Sequence, residues 1–232
     1  MTVNLIVAIS ENNAIGKNGD LCFHIKDDLK RFKELTIGKP VIMGYNTYKS
    51  LPNGALPKRE NIVLCDDKTT VSIKENVTLL PSLEEAIEYC DNNCYNDIFI
   101  IGGGMLYKYA IEHDLVDILY ITKIHETVED ADTFFPTIDY NKWNEKTKED
   151  KETEDGIKYS FVKYKRNKAK FKLNPDSIHV DKIHKAIEKK KEKFGKGYCP
   201  CVTKLAHCED TICPCKEYRT NGGKCHCELY IE

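Results

Sequence analysis

From Val3 to Ile124 the chain alternates short apolar, β-branched runs with segments whose apolar positions fall at helical spacing. This alternation limits the fold more than any other feature, because strands separated by helices build an α/β sheet with helices on both faces. Val3–Ile9 is a continuous apolar run, as expected of a strand buried on both faces. Asp27–Leu35 reads as a helix with Leu29, Phe32 and Leu35 near one face. Lys39–Met43 reads as a second strand, Thr47–Leu51 as a short helix and Asn61–Cys65 as a third strand. Ser82 caps a helix over Leu83–Cys90, with Glu84 and Glu85 in its first turn where the helix dipole favours them. Asp97–Ile101 is a strand, Gly102–Gly104 a turn and Met105–Glu112 a helix. Leu115–Ile124 is another strand region, and Ile157–Lys165 alternates as a strand pairing antiparallel at one edge. The expected fold class is α/β, a mostly parallel sheet flanked by helices.

A change in composition then divides the chain. Lys165–Leu173 is basic and weakly apolar, and Pro175 interrupts the chain just beyond it. Residues 167–177 are read as a linker between a domain over 1–166 and a smaller one over 178–232. Ile178–Phe194 is expected to be helical, with Ile183, Ala186 and Ile187 on one face and Gly195 as its C-cap. The 11 cysteines are uneven: Cys22, Cys65, Cys90 and Cys94 are scattered, and the rest fall between Cys199 and Cys227. The beginning of the sequence lacks a basic n-region, and Leu5–Ile9 is too short for a secretory apolar core. No stretch reaches the roughly 18 apolar residues of a membrane span. The expected location is therefore cytoplasmic. In a reducing compartment a cysteine cluster points to a metal or redox site more than to a disulfide framework. The formal net charge of -2 gives no reason to expect nucleic acid or a membrane surface as a partner. The charged run Glu188–Lys193 reads as a solvated helix face.

Three features of the first domain belong together. Ile15-Gly16-Lys17-Asn18-Gly19-Asp20-Leu21 is a glycine-containing loop after the first strand. Asp28 opens a helix and is followed by Leu29, Phe32 and Lys33. Ile101-Gly102-Gly103-Gly104-Met105-Leu106-Tyr107 is a strand, glycine turn and helix, a combination that brings backbone N–H groups close to a pyrophosphate. Each alone also fits a tight turn or a dipole-favoured acid. In this order, with Lys39-Pro40-Val41-Ile42-Met43-Gly44, Leu56-Pro57-Lys58-Arg59, Leu119-Tyr120-Ile121-Thr122 and Ala131-Asp132-Thr133-Phe134-Phe135-Pro136, they resemble dihydrofolate reductase over residues 1–166.

The resemblance implies roles residue by residue. Asp28 is the single carboxylate that binds the pterin 2-amino group and N3, and Thr122 supports it. Phe32 and Leu51 pack on the pterin and benzoyl rings, and Ile6 and Ile101 line the same site. Arg59 clamps the glutamate α-carboxylate of dihydrofolate, a planar bidentate task suited to guanidinium. Gly16–Leu21 is a mobile lid, with Leu21 where the family often has Met. Ala8, Ile15, Gly16, Gly44, Tyr45, Asn46, Thr47, Leu64, Cys65, Gly102, Gly103, Gly104, Met105, Leu106 and Tyr107 contact the nicotinamide cofactor. A cis peptide is expected at Gly103–Gly104. Cys22-Phe23 stands where many members have Pro-Trp, and Tyr45-Asn46 where a basic residue commonly meets the cofactor phosphates. Asp66 and Met105 fall near the 2′-phosphate pocket, where an Asp repels that phosphate. NADPH is the family default and use of NADH stays open. Two rivals remain: a reductase acting on a riboflavin precursor, which lacks the Asp28 and Arg59 pair, and a degenerate scaffold that only binds. Among the scattered cysteines, Cys22 borders the site and is reactive if exposed. Cys65 reads as a small core residue on its strand; Cys90 and Cys94, at the end of a helix, could meet, but a reducing cytosol argues against a disulfide between them.

The tail reads Cys199-Pro200-Cys201, Cys213-Pro214-Cys215 and Cys225-His226-Cys227, with Cys208 between the first two pairs. Thiolates are the soft ligands taken by zinc and by iron–sulfur clusters. This wording resembles the catalytic subunit of ferredoxin–thioredoxin reductase over residues 178–232. The resemblance implies a [4Fe–4S] cluster on Cys199, Cys213, Cys215 and Cys225. It also implies a redox disulfide between Cys201 and Cys227, with His226 beside the pair as a proton donor or packed against the cluster. Ferredoxin and a thioredoxin- or glutaredoxin-like protein are the implied partners. A structural zinc knot, to which His207 and His226 could contribute, is the alternative.

Overall fold

The computed structural model describes residues 1–65, 77–167, 172–173, 176–200, 227 and 229–231. The chain forms two compact units, Met1–Arg166 and Asn167–Glu232. In order, the first contains β1 (Thr2–Ile9), β2 (Ala14–Lys17), β3 (Asp20–Leu21), α1 (Lys26–Thr36), β4 (Val41–Gly44), α2 (Tyr45–Ser50) and β5 (Asn61–Leu64). It continues through β6 (Val77–Leu80), α3 (Leu83–Asn92), β7 (Asp97–Gly102), α4 (Gly104–Glu112), β8 (Ile118–Ile124), β9 (Thr133–Phe134), β10 (Trp143–Glu152) and β11 (Lys158–Arg166).

Eight of these strands form one sheet in the order β10-β11-β8-β1-β7-β4-β5-β6. The pairs from β8 to β6 are parallel, and β11 pairs antiparallel with both β8 and β10. The apolar run of β1 is explained by its central place. Leu5 pairs with Ile100 of β7 on one side and Leu119 of β8 on the other. Side chains alternate between faces. Val3, Leu5, Val7 and Ile9 join a core with Leu83, Ala86, Tyr107 and Ala110 of α3 and α4. Ile6, Val41, Met43, Val63 and Phe99 point the other way, onto Phe32 and Leu35 of α1 and Tyr48 of α2.

The chain crosses from β1 to β4 on one side, then returns through β7, which fills the gap, and goes on to β8 on the far side of β1. The direction of winding thus reverses around β1 and β7. In open α/β sheets the crevice at the carboxyl ends of strands at such a reversal is where ligands bind.

Several expectations change. Lys158–Arg166 is antiparallel as read but is not the edge, because β10 covers it. The sequence of β10, Trp-Asn-Glu-Lys-Thr-Lys-Glu-Asp-Lys-Glu, shows no apolar alternation, and its charges suit an exposed edge that must not pair further. Strand β6 was not foreseen. The Gly16–Leu21 loop is a hairpin of β2 and β3, with Asn18 and Gly19 both at positive φ as a two-residue turn requires. The cis peptide is Gly102–Gly103, one residue before the expected position, because β7 extends through Gly102 and α4 begins at Gly104. Cys65 lies just past β5 and is half-buried, not a core residue on the strand. Cys90 is buried in the core and Cys94 is exposed, and both are free thiols.

In the second unit, α5 (Ser177–Phe194) is capped by Asp176, whose carboxylate accepts from the Ile178 and His179 amides, and ends at left-handed Gly195 as the sequence suggested. Its face with Val180, Ile183 and Ile187 packs on buried Leu229. Strands β12 (Lys172–Leu173) and β13 (Tyr230–Ile231) pair antiparallel. No helix among the described residues is long and apolar enough to cross a membrane.

Arg166 closes the first unit. Its Nε donates to the Val116 carbonyl at 2.6 Å, Nη1 pairs with Asp114, and the guanidinium lies 4.5 Å from the ring centroid of Trp143. Replacing Arg166 by Ala removes the packing on Trp143 and leaves a part-buried carboxylate and carbonyl behind. The expected loss is about 3 kcal/mol. Urea unfolding followed by the fluorescence of Trp143, the single tryptophan, measures it; a change below about 1 kcal/mol contradicts this role for Arg166.

Candidate active site

Asp28 occupies the first turn of α1, with Asp27 beside it, where the helix dipole favours acids. Its carboxylate accepts a hydrogen bond from the hydroxyl of buried Thr122 on β8 at 2.5 Å. The register places Thr122 between Ala8 of β1 and Phe161 of β11. A strand side chain therefore meets the helix carboxylate at the centre of the sheet. Burial pushes the Asp28 carboxyl above the usual carboxylate range, while the Thr122 hydrogen bond and the Arg31 charge pull it back. Tyr107 of α4 is buried and donates to the Ile6 carbonyl at 2.8 Å; burial, and then the Asp28 charge, push its phenol upward.

The structure brings together the apolar residues that the sequence assigned to one site. Ile6 and the half-buried Phe32, Leu51 and Ile101 belong to a single cluster on the α1 and α2 face. Arg59 stands beside it, its guanidinium 5.7 Å from the centroid of the Phe32 ring. Its Nε donates to Thr36 Oγ1 at 2.8 Å and its Nη1 to the Pro57 carbonyl at 3.0 Å. Thr36 in turn donates to the Phe32 carbonyl, so the last turn of α1 orients the guanidinium. These bonds use two of the five N–H donors of an arginine.

The glycine residues form a second feature. A Cβ on Gly44 would lie 3.9 Å from Gly102 O and Gly103 N, so the turns after β4 and β7 abut. A Cβ on Gly103 would meet Thr47 Oγ1 at 3.1 Å, and one on Gly104 would meet Thr133 Cγ2 at 3.0 Å and lie 3.8 Å from Ile15. Helix α4 has no side-chain cap and no acid in its first turn. Met105 there is 87% exposed, and Tyr45, Asn46 and Thr47 form the first turn of α2. Leu64 and Leu106 pack against the α3 and α4 core.

Gly16 pairs with Leu21 in the hairpin and with Thr133 in β9. An ion pair of Lys17 with Asp130 and a hydrogen bond from the Asn18 amide to Asp132 tie the hairpin to the segment before β9. Leu21 is 48% exposed. Cys22 is half-buried, and burial, followed by the charges of Asp132 and Asp130, raises its thiol, which disfavours the thiolate. Phe23 packs in a cluster with Ile25, Ala8 and Phe161.

Of the cysteine-module residues, Cys199 is buried and its carbonyl accepts from Lys190 Nζ at 2.9 Å. Cys227 is half-buried, with its carbonyl 3.0 Å from His179 Nε2. Cys201, Cys208, Cys213, Cys215, Cys225, His207 and His226 lie outside the described residues, as does Asp66. Among the described residues no group of three or more His, Cys, Asp and Glu is placed to hold a metal.

The sequence reading missed Arg31, Tyr120, Phe161 and Thr36. Arg31 stands three positions after Asp28 on the same helix, a spacing at which side chains meet, and that was the available signal.

Comparison with known proteins agrees with this geometry. Residues 2–166 match the family model of dihydrofolate reductase, and residues 146–232 match that of the ferredoxin thioredoxin reductase catalytic beta chain. The chain is 41% identical over 143 residues to a dihydrofolate reductase of Haemophilus influenzae, covering 62% of this chain and 84% of that protein. It is 35% identical over 175 residues to the dihydrofolate reductase of Neisseria meningitidis serogroup B, covering 72% of this chain and 99% of that protein. Among solved structures, dihydrofolate reductase from Enterococcus faecalis, complexed with NADP(H) and RAB-propyl, matches with a TM-score of 0.64 and 34% identity. That match covers 72% of this chain and 96% of the other. A carboxylate held by a strand threonine above a winding reversal, with the family match over the whole first unit, makes this chain an oxidoreductase that belongs to the dihydrofolate reductase family.

Proposed function

We propose that residues 1–166 reduce 7,8-dihydrofolate to 5,6,7,8-tetrahydrofolate with NADPH, and that Asp28 is the group that binds the pterin. The observation that carries this reading is the half-buried Asp28 carboxylate, fixed by Thr122 and next to the apolar cluster of Ile6, Phe32, Leu51 and Ile101. A carboxylate removed from water is costly unless it meets a complementary partner. The 2-amino and N3–H groups of a pterin are such a partner, and the negative charge of Asp28 favours a proton on the pterin ring. Thr122 keeps the carboxylate oxygens in one orientation. The apolar cluster packs on the ring and lowers the local dielectric, which strengthens the Asp28 interaction. Arg59, already oriented by Thr36 and Pro57, offers its remaining donors to the glutamate α-carboxylate. The Gly16–Leu21 hairpin is assigned the closing role, with Leu21 at its end.

The cofactor site fits the residues present. The first turn of α4 offers backbone N–H groups with no acidic side chain to compete for them, as a pyrophosphate requires. Gly44 and Gly102–Gly104, with Tyr45, Asn46, Thr47, Met105, Leu106 and Tyr107, are assigned to the cofactor, and Ala8, Ile15, Gly16, Leu64 and Cys65 complete the assignment. When bound, the reduced nicotinamide supplies the hydride. The similar Enterococcus faecalis enzyme was solved with NADP(H), which supports NADPH over NADH.

For the second unit the reading is a cluster-bearing module related to the disulfide reductase subunit, with Cys199, Cys213, Cys215 and Cys225 as ligands. Cys201 and Cys227 are its redox pair and His226 a proton donor beside them. Ferredoxin and a thioredoxin- or glutaredoxin-like protein are its assigned partners. The family match over 146–232 and three Cys-x-Cys pairs support this reading. It competes with a structural zinc site, which shares the soft thiolate donors.

Asp28→Asn is expected to lower kcat/KM for dihydrofolate by about a hundredfold or more at neutral pH, leaving NADPH affinity unchanged. The same variant has a sign for stability. With its folded-state pKa raised, Asp28 ionises first in the unfolded chain, so the native protein loses stability as pH rises through that window. The melting temperature of the variant should therefore match wild type in acid and exceed it at neutral pH. Unchanged turnover, or a variant less stable at neutral pH, contradicts the assignment. For the second unit, iron, acid-labile sulfide and zinc are measured on protein purified without oxygen. About four iron and four sulfide per chain are expected; zinc without iron, persisting after attempted reconstitution, overturns the cluster reading.

A further inference from the structure

Arg31 lies one helical turn beyond Asp28 on α1, and its surroundings come from three strands of the sheet. Its Nη1 donates to Thr122 Oγ1 at 3.3 Å, and that hydroxyl donates onward to Asp28. Its guanidinium carbon lies 4.3 Å from the ring centroid of Phe161 and 5.8 Å from that of Tyr120. The register explains the seat. Phe161 of β11 is paired directly with Thr122 of β8, and Tyr120 stands two residues before Thr122 on the same face. An arginine lying on these two rings thus donates to the same hydroxyl that donates to the carboxylate.

We propose that Arg31 is a positioning residue for the substrate-binding carboxylate: seated on Phe161, it donates to Thr122 and so commits the threonine proton to Asp28. A threonine hydroxyl has one proton and can rotate. With an arginine donor on its lone pairs, it can point its proton only at an acceptor, and Asp28 is that acceptor. The guanidinium also places a positive charge one hydroxyl away from the carboxylate, which favours its ionised form. Burial lowers the Arg31 guanidinium and the Asp28 charge raises it again, the counterpart of the Arg31 effect on Asp28.

The other titratable groups around the Arg31–Thr122–Asp28 array are Asp27 on α1, Tyr107 on α4, Tyr120 on β8, Tyr159 and Lys163 on β11, and Glu149 and Lys151 on β10, with Lys163 Nζ 5.2 Å from the Tyr120 centroid. Lys151 pairs with Glu149 at 3.2 Å and approaches Asp27 at 4.0 Å, and its Nζ is 5.3 Å from the Phe161 centroid. It is a nearby cation on the same ring that does not touch Thr122 in the described contacts, and so it serves as the charge control.

This inference rests on the reading of Asp28 as the pterin-binding group. The experiment is the pH profile of kcat/KM for dihydrofolate in the full chain, for wild type, Arg31→Gln, Phe161→Leu, Lys151→Gln and Asp28→Asn. Arg31→Gln is expected to lose about tenfold more kcat/KM near pH 5 than near pH 8, because an opposite charge at this range shifts a carboxylate by about one unit or more. Phe161→Leu, which removes the seat and keeps the charge, should move the acid limb in the same direction by less. Lys151→Gln should leave it in place. A uniform loss across pH in Arg31→Gln, or an equal shift in Lys151→Gln, overturns the role of Arg31. Retained turnover in Asp28→Asn instead overturns the underlying reading of Asp28. Should Arg31→Gln fail to fold, an unshifted acid limb in Phe161→Leu overturns the inference by itself.

Discussion

The activity proposed for the first unit depends on keeping a carboxylate half out of water. Asp28 sits where burial opposes its charge, and one hydrogen bond, from Thr122, and one cation, Arg31, offset that cost only in part. A residue placed for stability alone would be apolar here. The imbalance makes the site receptive, because a ligand that brings donors to this carboxylate supplies what the fold withholds. Functional sites commonly hold such groups for that reason.

The sheet makes the arrangement possible. Thr122 reaches Asp28 because β8 lies directly beside β1, and β8 lies there because the chain reverses its winding after filling the gap with β7. The same reversal leaves the ends of β4 and β7 side by side, where glycines let the two turns abut. The proposed pterin and nicotinamide sites draw on these neighbouring elements. Helix α1 serves three purposes. Its first turn carries Asp28, its middle carries Phe32, and its last turn holds Arg59 through Thr36.

The sequence carried much of this and missed the rest for physical reasons. Strand β1 was readable because a strand buried on both faces must be apolar throughout. Asp28 and the glycine turn were legible only through the family resemblance, because an acid in a first helical turn or a run of glycines fits a structural role equally well when taken alone. The start of α4 and the cis peptide were misplaced by one residue, since consecutive glycines carry no side-chain pattern to mark a boundary. Strand β10 escaped because an exposed edge strand needs charges more than alternation. Arg31 escaped because an arginine between two lysine-bearing positions of a helix looks like part of a solvated face. Only the pairing of Phe161 with Thr122, a contact between distant segments, reveals its seat. For the second unit, helix α5 and its glycine cap matched the reading, while most of the cysteine pairs lie outside the described residues.

The measurement that bears most directly on this account is the titration of the Asp28 carboxyl itself, by isotope-edited NMR, in the free protein and with a bound pterin. The free carboxyl is expected to titrate above the ordinary aspartate range and to become ionised across the measured range once the pterin is bound. An ordinary titration that the pterin leaves unchanged would show that Asp28 is a surface acid and not the group on which the site is built.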